Sequence, residues 1–114
     1  MKLVRDYIPH IIEEDGRTCY WRKVSDHSEH MQRLKLKIME EAEEFIENPS
    51  YEEAADMLEV VQAFASINGL NFDDVITTAQ NKATKRGGFE EGIVLVEVHE
   101  QGESRRPDTI KKAL

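Results

Sequence analysis

The sequence has one cysteine, three prolines and no apolar run of membrane-spanning length. The lone cysteine, Cys19, excludes a disulfide or a cysteine-rich zinc site within these residues, so a reducing cytoplasm is the expected compartment. No stretch approaches the ~20 apolar residues that a membrane span needs, and the first residues lack the apolar core of a signal peptide. The formal net charge of −8 makes nucleic acid and anionic membranes poor partners.

The length of 114 residues is enough for one hydrophobic core and too short for two. Hydrophobic residues make up 39% of the chain and charged residues 33%, a balance typical of a folded domain and not of a disordered one. We therefore expect a single domain over residues 1–114, of which residues 100–114 are a mobile polar tail.

Lysine and arginine are absent from residues 40–59, which carry nine acidic side chains. The rest of the chain has 14 acidic and 15 basic residues, so this stretch accounts for the whole negative balance. Acidic tails are usually poor in apolar residues, whereas Phe45, Ile46, Met57 and others are interleaved here with the acids. The acidic stretch is therefore expected to be folded.

The spacing of apolar residues and of breakers predicts a mainly α-helical protein. Four helices are expected: one from Pro9 to a stop at Gly16, one from a Ser25–Asp26 cap to about Glu47, one from Tyr51 to Asn68, and one from Asn71 to Arg86. Two stretches rich in β-forming residues, 18–24 and 93–98, predict short strands. The second stretch, with a turn at Gly92, predicts a small β-hairpin near the C-terminus of an antiparallel helical bundle.

The helix predicted over residues 51–68 is apolar on nearly all sides. A chain this small has difficulty covering such a perimeter internally. A subunit interface is therefore expected, in a homodimer or a homotetramer.

Acidic residues flank the predicted break at residues 48–50. Residues three apart on a helix share a face, so Glu41 and Glu44 point the same way, as do Glu53 and Asp56. A short break folds the two helices back antiparallel, with Glu41 level with Asp56 and Glu44 level with Glu53, in layers about 4.5 Å apart. Four converging carboxylates need protons or a cation, and their oxygen atoms suit Mg²⁺, with Mn²⁺ as an acceptable substitute.

Ordinary helix chemistry explains part of this pattern. Ser50 and Glu53 form a capping box, and acids are favoured in a first helical turn, so this half alone indicates structure more than chemistry. Glu40, Glu41 and Glu44 instead lie near a helix C-terminus, where each negative charge is disfavoured by ~0.3–1 kcal/mol. The helix dipole disfavours acidic residues at these positions, so a role other than helix stability is needed to explain them.

Cationic and amide side chains end the last predicted helix, at Asn81, Lys82, Lys85 and Arg86. Basic residues are favoured at any helix C-terminus, and this alone explains them. Beside a carboxylate–metal site, they are also what binding of a polyphosphate needs.

The order of these motifs resembles a known family. Glu40-Glu41-x-x-Glu44, then Glu53-x-x-Asp56, then Asn81-Lys82-x-x-Lys85-Arg86-Gly87-Gly88-Phe89 is similar to the MazG-like all-α nucleoside triphosphate pyrophosphohydrolases. The opening Lys2-Leu3-Val4-Arg5-Asp6-Tyr7-Ile8-Pro9 resembles a small single-domain branch described as phosphoribosyl-ATP pyrophosphohydrolase-like. The resemblance extends over residues 1–98. One departure is the short spacer of eight residues between Glu44 and Glu53.

The resemblance implies a hydrolase that cleaves a nucleotide between its α- and β-phosphates, releasing a monophosphate and pyrophosphate. It implies Mg²⁺ ligands at four positions: Glu41, Glu44, Glu53 and Asp56. Catalysis would involve Glu41 through the metal and Glu40 through the attacking water. Phosphate contacts would come from Lys82 and Arg86, with Lys85 and Asn81 beside them. Two alternatives stay open, namely hydrolysis of phosphoribosyl-ATP and a non-catalytic metal-binding helical oligomer.

Overall fold

The computed structural model describes residues 1–100, and helices are the only regular secondary structure over that range. Its helices are α1 (Ile8–Glu14), α2 (His27–Glu47), α3 (Tyr51–Ile67) and α4 (Phe72–Arg86). These bounds agree with the predicted ones to within about two residues, which confirms the mainly α-helical class. Within residues 1–100, no helix combines the length and the apolar character that crossing a membrane requires.

The chain is divided into two compact units. The first, Met1–Thr78, contains α1, α2, α3 and the start of α4. The second begins at Ala79 and includes the rest of α4. The tail expected over residues 100–114 lies outside the described residues, apart from Glu100.

The first unit is built on a hairpin of α2 and α3. The side chain of Asp26 accepts a hydrogen bond from the backbone N–H of Glu29 at 2.8 Å and begins α2. Pro49 follows α2, and the Ser50 hydroxyl accepts a hydrogen bond from the backbone N–H of Glu53 at 3.2 Å to begin α3. Because three residues join them, α3 runs back along α2, and the two helices pack on each other.

The core of the hairpin is thin. Among residues 1–100 the buried apolar residues are Leu34 on α2 and Ala65 on α3. Large apolar side chains of the same two helices stay exposed, with Met39 at 68%, Ile46 at 77% and Leu58 at 53%. A single chain therefore leaves much of the apolar surface of the hairpin uncovered.

The segment before α2 is fastened to that helix by Glu29. The guanidinium of Arg22 donates two hydrogen bonds of 2.8 Å to the two carboxylate oxygens of Glu29. The backbone N–H of Ser25 donates another at 2.7 Å, and Arg33 adds a longer one at 3.3 Å. Hydrogen bonds from Arg22 and then from Ser25 hold the pKa of Glu29 well below its usual range.

The prediction of a C-terminal β-hairpin is wrong for the described residues. The turn does form, since the backbone N–H of Gly92 donates to the Phe89 carbonyl at 3.2 Å and Gly92 adopts a φ of +63°. No strand follows it over residues 93–100, and Ile93 and Val94 are more than four-fifths exposed. Residues 18–24 also form no strand. A strand depends on a paired neighbour and a buried face, and β-forming residues alone supply neither.

Candidate metal centre

Three carboxylates of the hairpin converge. One oxygen atom from each of Glu41, Glu53 and Asp56 lies within 4.8 Å of the other two. Glu41 belongs to α2, while Glu53 and Asp56 lie one turn apart on α3, so the group exists only because α3 folds back along α2. We call these three residues the acid group.

The acid group contains buried oxygens that lack partners. Glu41 is only 6% exposed. Its Oε2 atom and the Oε2 atom of Glu53 are both buried and have no hydrogen-bond partner among the described residues. A buried acceptor without a partner costs about 1–3 kcal/mol, and more when it is charged. A cation among the three carboxylates would supply the missing interaction for both oxygens.

The donor set and its spacing suit a hard divalent ion. Mg²⁺ binds carboxylate oxygens at about 2.1 Å, which places opposite ligands about 4.2 Å apart. The 4.8 Å spread of the acid group is slightly wider, and a small rotation of one of the two half-buried side chains, Glu53 or Asp56, would close the difference. The residues present therefore fit Mg²⁺ or the chemically similar Mn²⁺.

Glu44 lies beside the acid group but outside it. Its side chain is exposed, and the negative charge of Glu41 raises the pKa of Glu44, with desolvation and the charge of Glu53 adding to the effect. The negative charges of Glu41 and Glu53 therefore disfavour ionisation of Glu44. Its role as a fourth metal ligand stays a prediction.

Cations line the edge of the acid group. The ammonium of Lys37 lies 3.3 Å from Oε1 of Glu41 and 3.6 Å from Oε2 of Glu40. Lys2 lies 3.4 Å from Oε1 of Glu40. The guanidinium of Arg5 donates to Oδ1 of Asp56 at 2.7 Å. Lys37 thus provides a counter-charge to the Glu41 carboxylate through Oε1, while its Oε2 atom keeps no hydrogen-bond partner among the described residues.

Sequence reasoning placed none of these three cations at the acid group. Lys37 precedes Glu41 by four residues, a spacing that brings side chains together on a helix and was readable from the sequence. Arg5 and Asp56 are 51 residues apart, and no local pattern indicates that pair. Glu40, predicted to act on the attacking water, is held by Lys2 and Lys37 and lies outside the acid group. Its catalytic role stays a prediction.

The predicted phosphate contacts lie on the last two turns of α4, in the second unit. All of them are exposed, and none of the cations is ion-paired within residues 79–100. These residues are Asn81, Lys82, Lys85 and Arg86. The helix ends directly after them, where Gly87 adopts a φ of +83° that suits glycine. The α4 cations therefore occupy the place that the helix dipole favours, and their phosphate role stays a prediction.

Comparisons with protein-family models, with curated proteins and with solved structures found no match for this chain. The resemblance to the MazG-like pyrophosphohydrolases therefore depends on the sequence motifs alone. Any assignment of function has to be argued from the geometry of the acid group and its surroundings.

Proposed function

We propose that the protein is a Mg²⁺-dependent nucleotide pyrophosphohydrolase that cleaves a nucleoside triphosphate, or a related nucleotide, between the α- and β-phosphates. The observation that carries the proposal is the acid group, where three carboxylates from two helices converge and two buried oxygens lack partners. Lys37 and Arg5 supply two positive charges to the three carboxylates, and a divalent ion would supply the remaining charge and the missing partners of the buried oxygens. We propose a reducing cytoplasm as the compartment, and the support is the single cysteine, which forms no disulfide within these residues.

Each part of the site has a role in the proposed reaction. Glu41, Glu53 and Asp56 hold the ion, with Glu44 beside them. When bound, the ion neutralises charge on the phosphates and polarises their oxygens. Glu40 accepts a proton from a water molecule whose oxygen bonds to phosphorus. The bridging P–O bond then breaks, and pyrophosphate and the monophosphate leave.

From the resemblance, we also propose that the cations of α4 contact phosphate oxygens of the substrate. Lys82 and Arg86 have this role in the proposal, with Lys85 and Asn81 assisting. Their support is the exposed position of all four side chains on the last turns of α4 and the order of the sequence motifs. Charge neutralisation of this kind is a general requirement of phosphoryl transfer.

We also propose that the working form is a homodimer or a homotetramer. The support is the uncovered apolar surface of the hairpin, which includes Leu36, Met39 and Ile46 on α2. These residues are spaced so that they share one side of the helix. Light scattering after size exclusion is expected to give two or four times the mass of the chain, and a monomer would contradict this part of the proposal.

The test of activity is pyrophosphate release from a panel of nucleoside triphosphates and phosphoribosyl-ATP, with Mg²⁺ or with EDTA. The unmodified protein should act on at least one of them in Mg²⁺ alone. Glu41→Gln keeps the size of the side chain but removes a charge, and it should lower turnover by about 100-fold or more. Glu43→Gln is the matched control, because Glu43 lies on the same helix, is exposed and is outside the acid group.

Three results would separate the alternatives. Turnover of phosphoribosyl-ATP alone would assign that substrate. Absence of turnover with every compound, while Mg²⁺ still raises the melting temperature, would favour a non-catalytic metal-binding helical oligomer. Full activity of the Glu41→Gln variant would exclude Glu41 from the machinery.

A further inference from the structure

Arg5 makes a long-range contact with the acid group. It lies in the segment before α1, and its Nη2 atom donates a hydrogen bond of 2.7 Å to Oδ1 of Asp56 on α3. The two residues are 51 positions apart in the chain. The contact therefore places the first residues of the protein at the edge of the acid group.

The position of Arg5 has an electrostatic consequence. Asp56 contributes one of the three converging oxygens, so a cation bound among them would lie close to the guanidinium. The guanidinium of Arg5 and the bound cation would repel each other, because both are positively charged and both would contact the carboxylate of Asp56. In the ion-free protein Arg5 thus supplies part of the counter-charge that a divalent ion would supply.

Arg5 also has capacity for a second partner. A guanidinium has five N–H donors, and the hydrogen bond to Asp56 is the one that the described residues record for it. Its side chain is 54% exposed, so donors face the solvent beside the acid group. A planar guanidinium matches the oxygens of a phosphate better than an ammonium does.

We propose that Arg5 competes with the divalent ion for Asp56 and then binds the phosphates of the substrate. In the ion-free protein it neutralises Asp56. When the ion is bound, the guanidinium exchanges Asp56 for an anionic oxygen of the polyphosphate. This inference rests on the proposed function, because it uses the acid group as the metal site, but it assigns to the N-terminal segment a role at that site.

The first measurement is Mn²⁺ binding, followed by calorimetry or by electron paramagnetic resonance, in the unmodified protein and in two variants. Arg5→Gln should bind Mn²⁺ about 3- to 10-fold more tightly, because a competing charge is gone. Arg17→Gln is the control: Arg17 belongs to the same unit and also pairs with an aspartate, Asp15, at 3.2 Å. Its Mn²⁺ affinity should stay within about twofold of the original.

The second measurement is binding of pyrophosphate in saturating Mn²⁺. Arg5→Gln should weaken it by about 10-fold, the effect expected for loss of a charge-assisted hydrogen bond, and Arg17→Gln should not. The opposite signs of the two effects distinguish this role from a structural one, since a misfolded variant would lose both affinities. Circular dichroism melts of each variant check the fold independently.

Each outcome has a defined meaning. Equal Mn²⁺ affinity in the Arg5→Gln and unmodified proteins overturns the competition, and unchanged pyrophosphate affinity overturns the phosphate role. Absence of Mn²⁺ binding to the unmodified protein overturns both this inference and the metal site. If both predicted shifts occur but no nucleotide is hydrolysed, the proposed function fails and the role of Arg5 stands.

Discussion

The two ends of α2 carry the same kind of side chain in opposite circumstances. At the N-terminal end, Glu29 accepts hydrogen bonds from Arg22, Ser25 and Arg33. At the C-terminal end, Glu41 is buried with one oxygen unpartnered, and the last turn of the helix contains no basic residue. The helix dipole favours negative charge in the first turn, where Glu29 lies, and opposes it in the last turn, where Glu44 lies.

The pKa values of Glu29 and Glu44 shift in opposite directions, in line with this difference between the two ends of α2. Hydrogen bonds from Arg22 hold the pKa of Glu29 far below its usual value, whereas the charge of Glu41 raises the pKa of Glu44. The acids at the start of α2 are thus explained by stability alone. At its end, the raised pKa of Glu44 means that a negative charge there disfavours the ion-free fold, and an acid kept at such a position is a candidate for function. If the two ends differ in this respect, a change at the end of α2 should alter ion binding, and the same change at its start should alter only stability.

The largest expected difference is in binding of divalent ions. Glu41→Gln should weaken Mn²⁺ binding by about 100-fold or more, because a buried ligand loses its charge. Glu29→Gln makes the same chemical change at the other end of α2 and should leave the affinity within about twofold. Titration calorimetry measures both. Equal losses in the two variants would remove the distinction between the ends.

Mg²⁺ should stabilise the fold only when the acid group is intact, and a change at the other end of α2 should not affect this stabilisation. At a Mg²⁺ concentration 100 times its dissociation constant, the free energy of unfolding should rise by about 2.7 kcal/mol. The rise should persist in Glu29→Gln and vanish in Glu41→Gln. Urea denaturation with Mg²⁺ or with EDTA gives the comparison. A rise that survives in Glu41→Gln would place the ion elsewhere.

The cap of α2 should behave as a purely structural feature. Asp26→Ala removes the acceptor for the backbone N–H of Glu29 and should lower the free energy of unfolding by about 1 kcal/mol. The loss should be the same with Mg²⁺ and with EDTA, since Asp26 is not a member of the acid group. A loss that depends on Mg²⁺ would show that the two ends of the helix are coupled.

The smallest effect is the pH dependence of the ion-free protein. The folded-state pKa of Glu29 is lowered from 4.5, so its contribution to stability is present above pH 4.5 and is lost as the pH falls below it. The folded-state pKa of Glu44 is raised, so this group adds stability as the pH falls through that raised value from neutral. Melting temperatures in EDTA between about pH 7 and pH 3 report both effects.

Single variants separate the two contributions to the pH dependence. Glu29→Gln should lose the fall in melting temperature on the acid side. Glu44→Gln should lose the gain that begins nearer neutral pH. Unchanged pH profiles in both variants would contradict the assignment of these shifts.

Helix positions were predictable because their signals are local. Asp26 and Ser50 cap the helices that they were expected to begin, and Gly87 follows the last residue of α4. The predicted C-terminal hairpin failed because a strand is stabilised by a partner outside its own sequence. Its turn at Gly92, which depends on one residue and its φ angle, was predicted correctly.

By itself the sequence determined where the helices begin and end and which acids share a face, since caps, breakers and spacings of three or four residues act within one or two turns. The folding of α3 onto α2 decided the rest. It buried Glu41 and left Glu44 exposed beside the acid group, and the path of the N-terminal segment brought Arg5 to Asp56 across 51 residues. Burial and long-range pairing depend on the path of the whole chain, so no local pattern contains them.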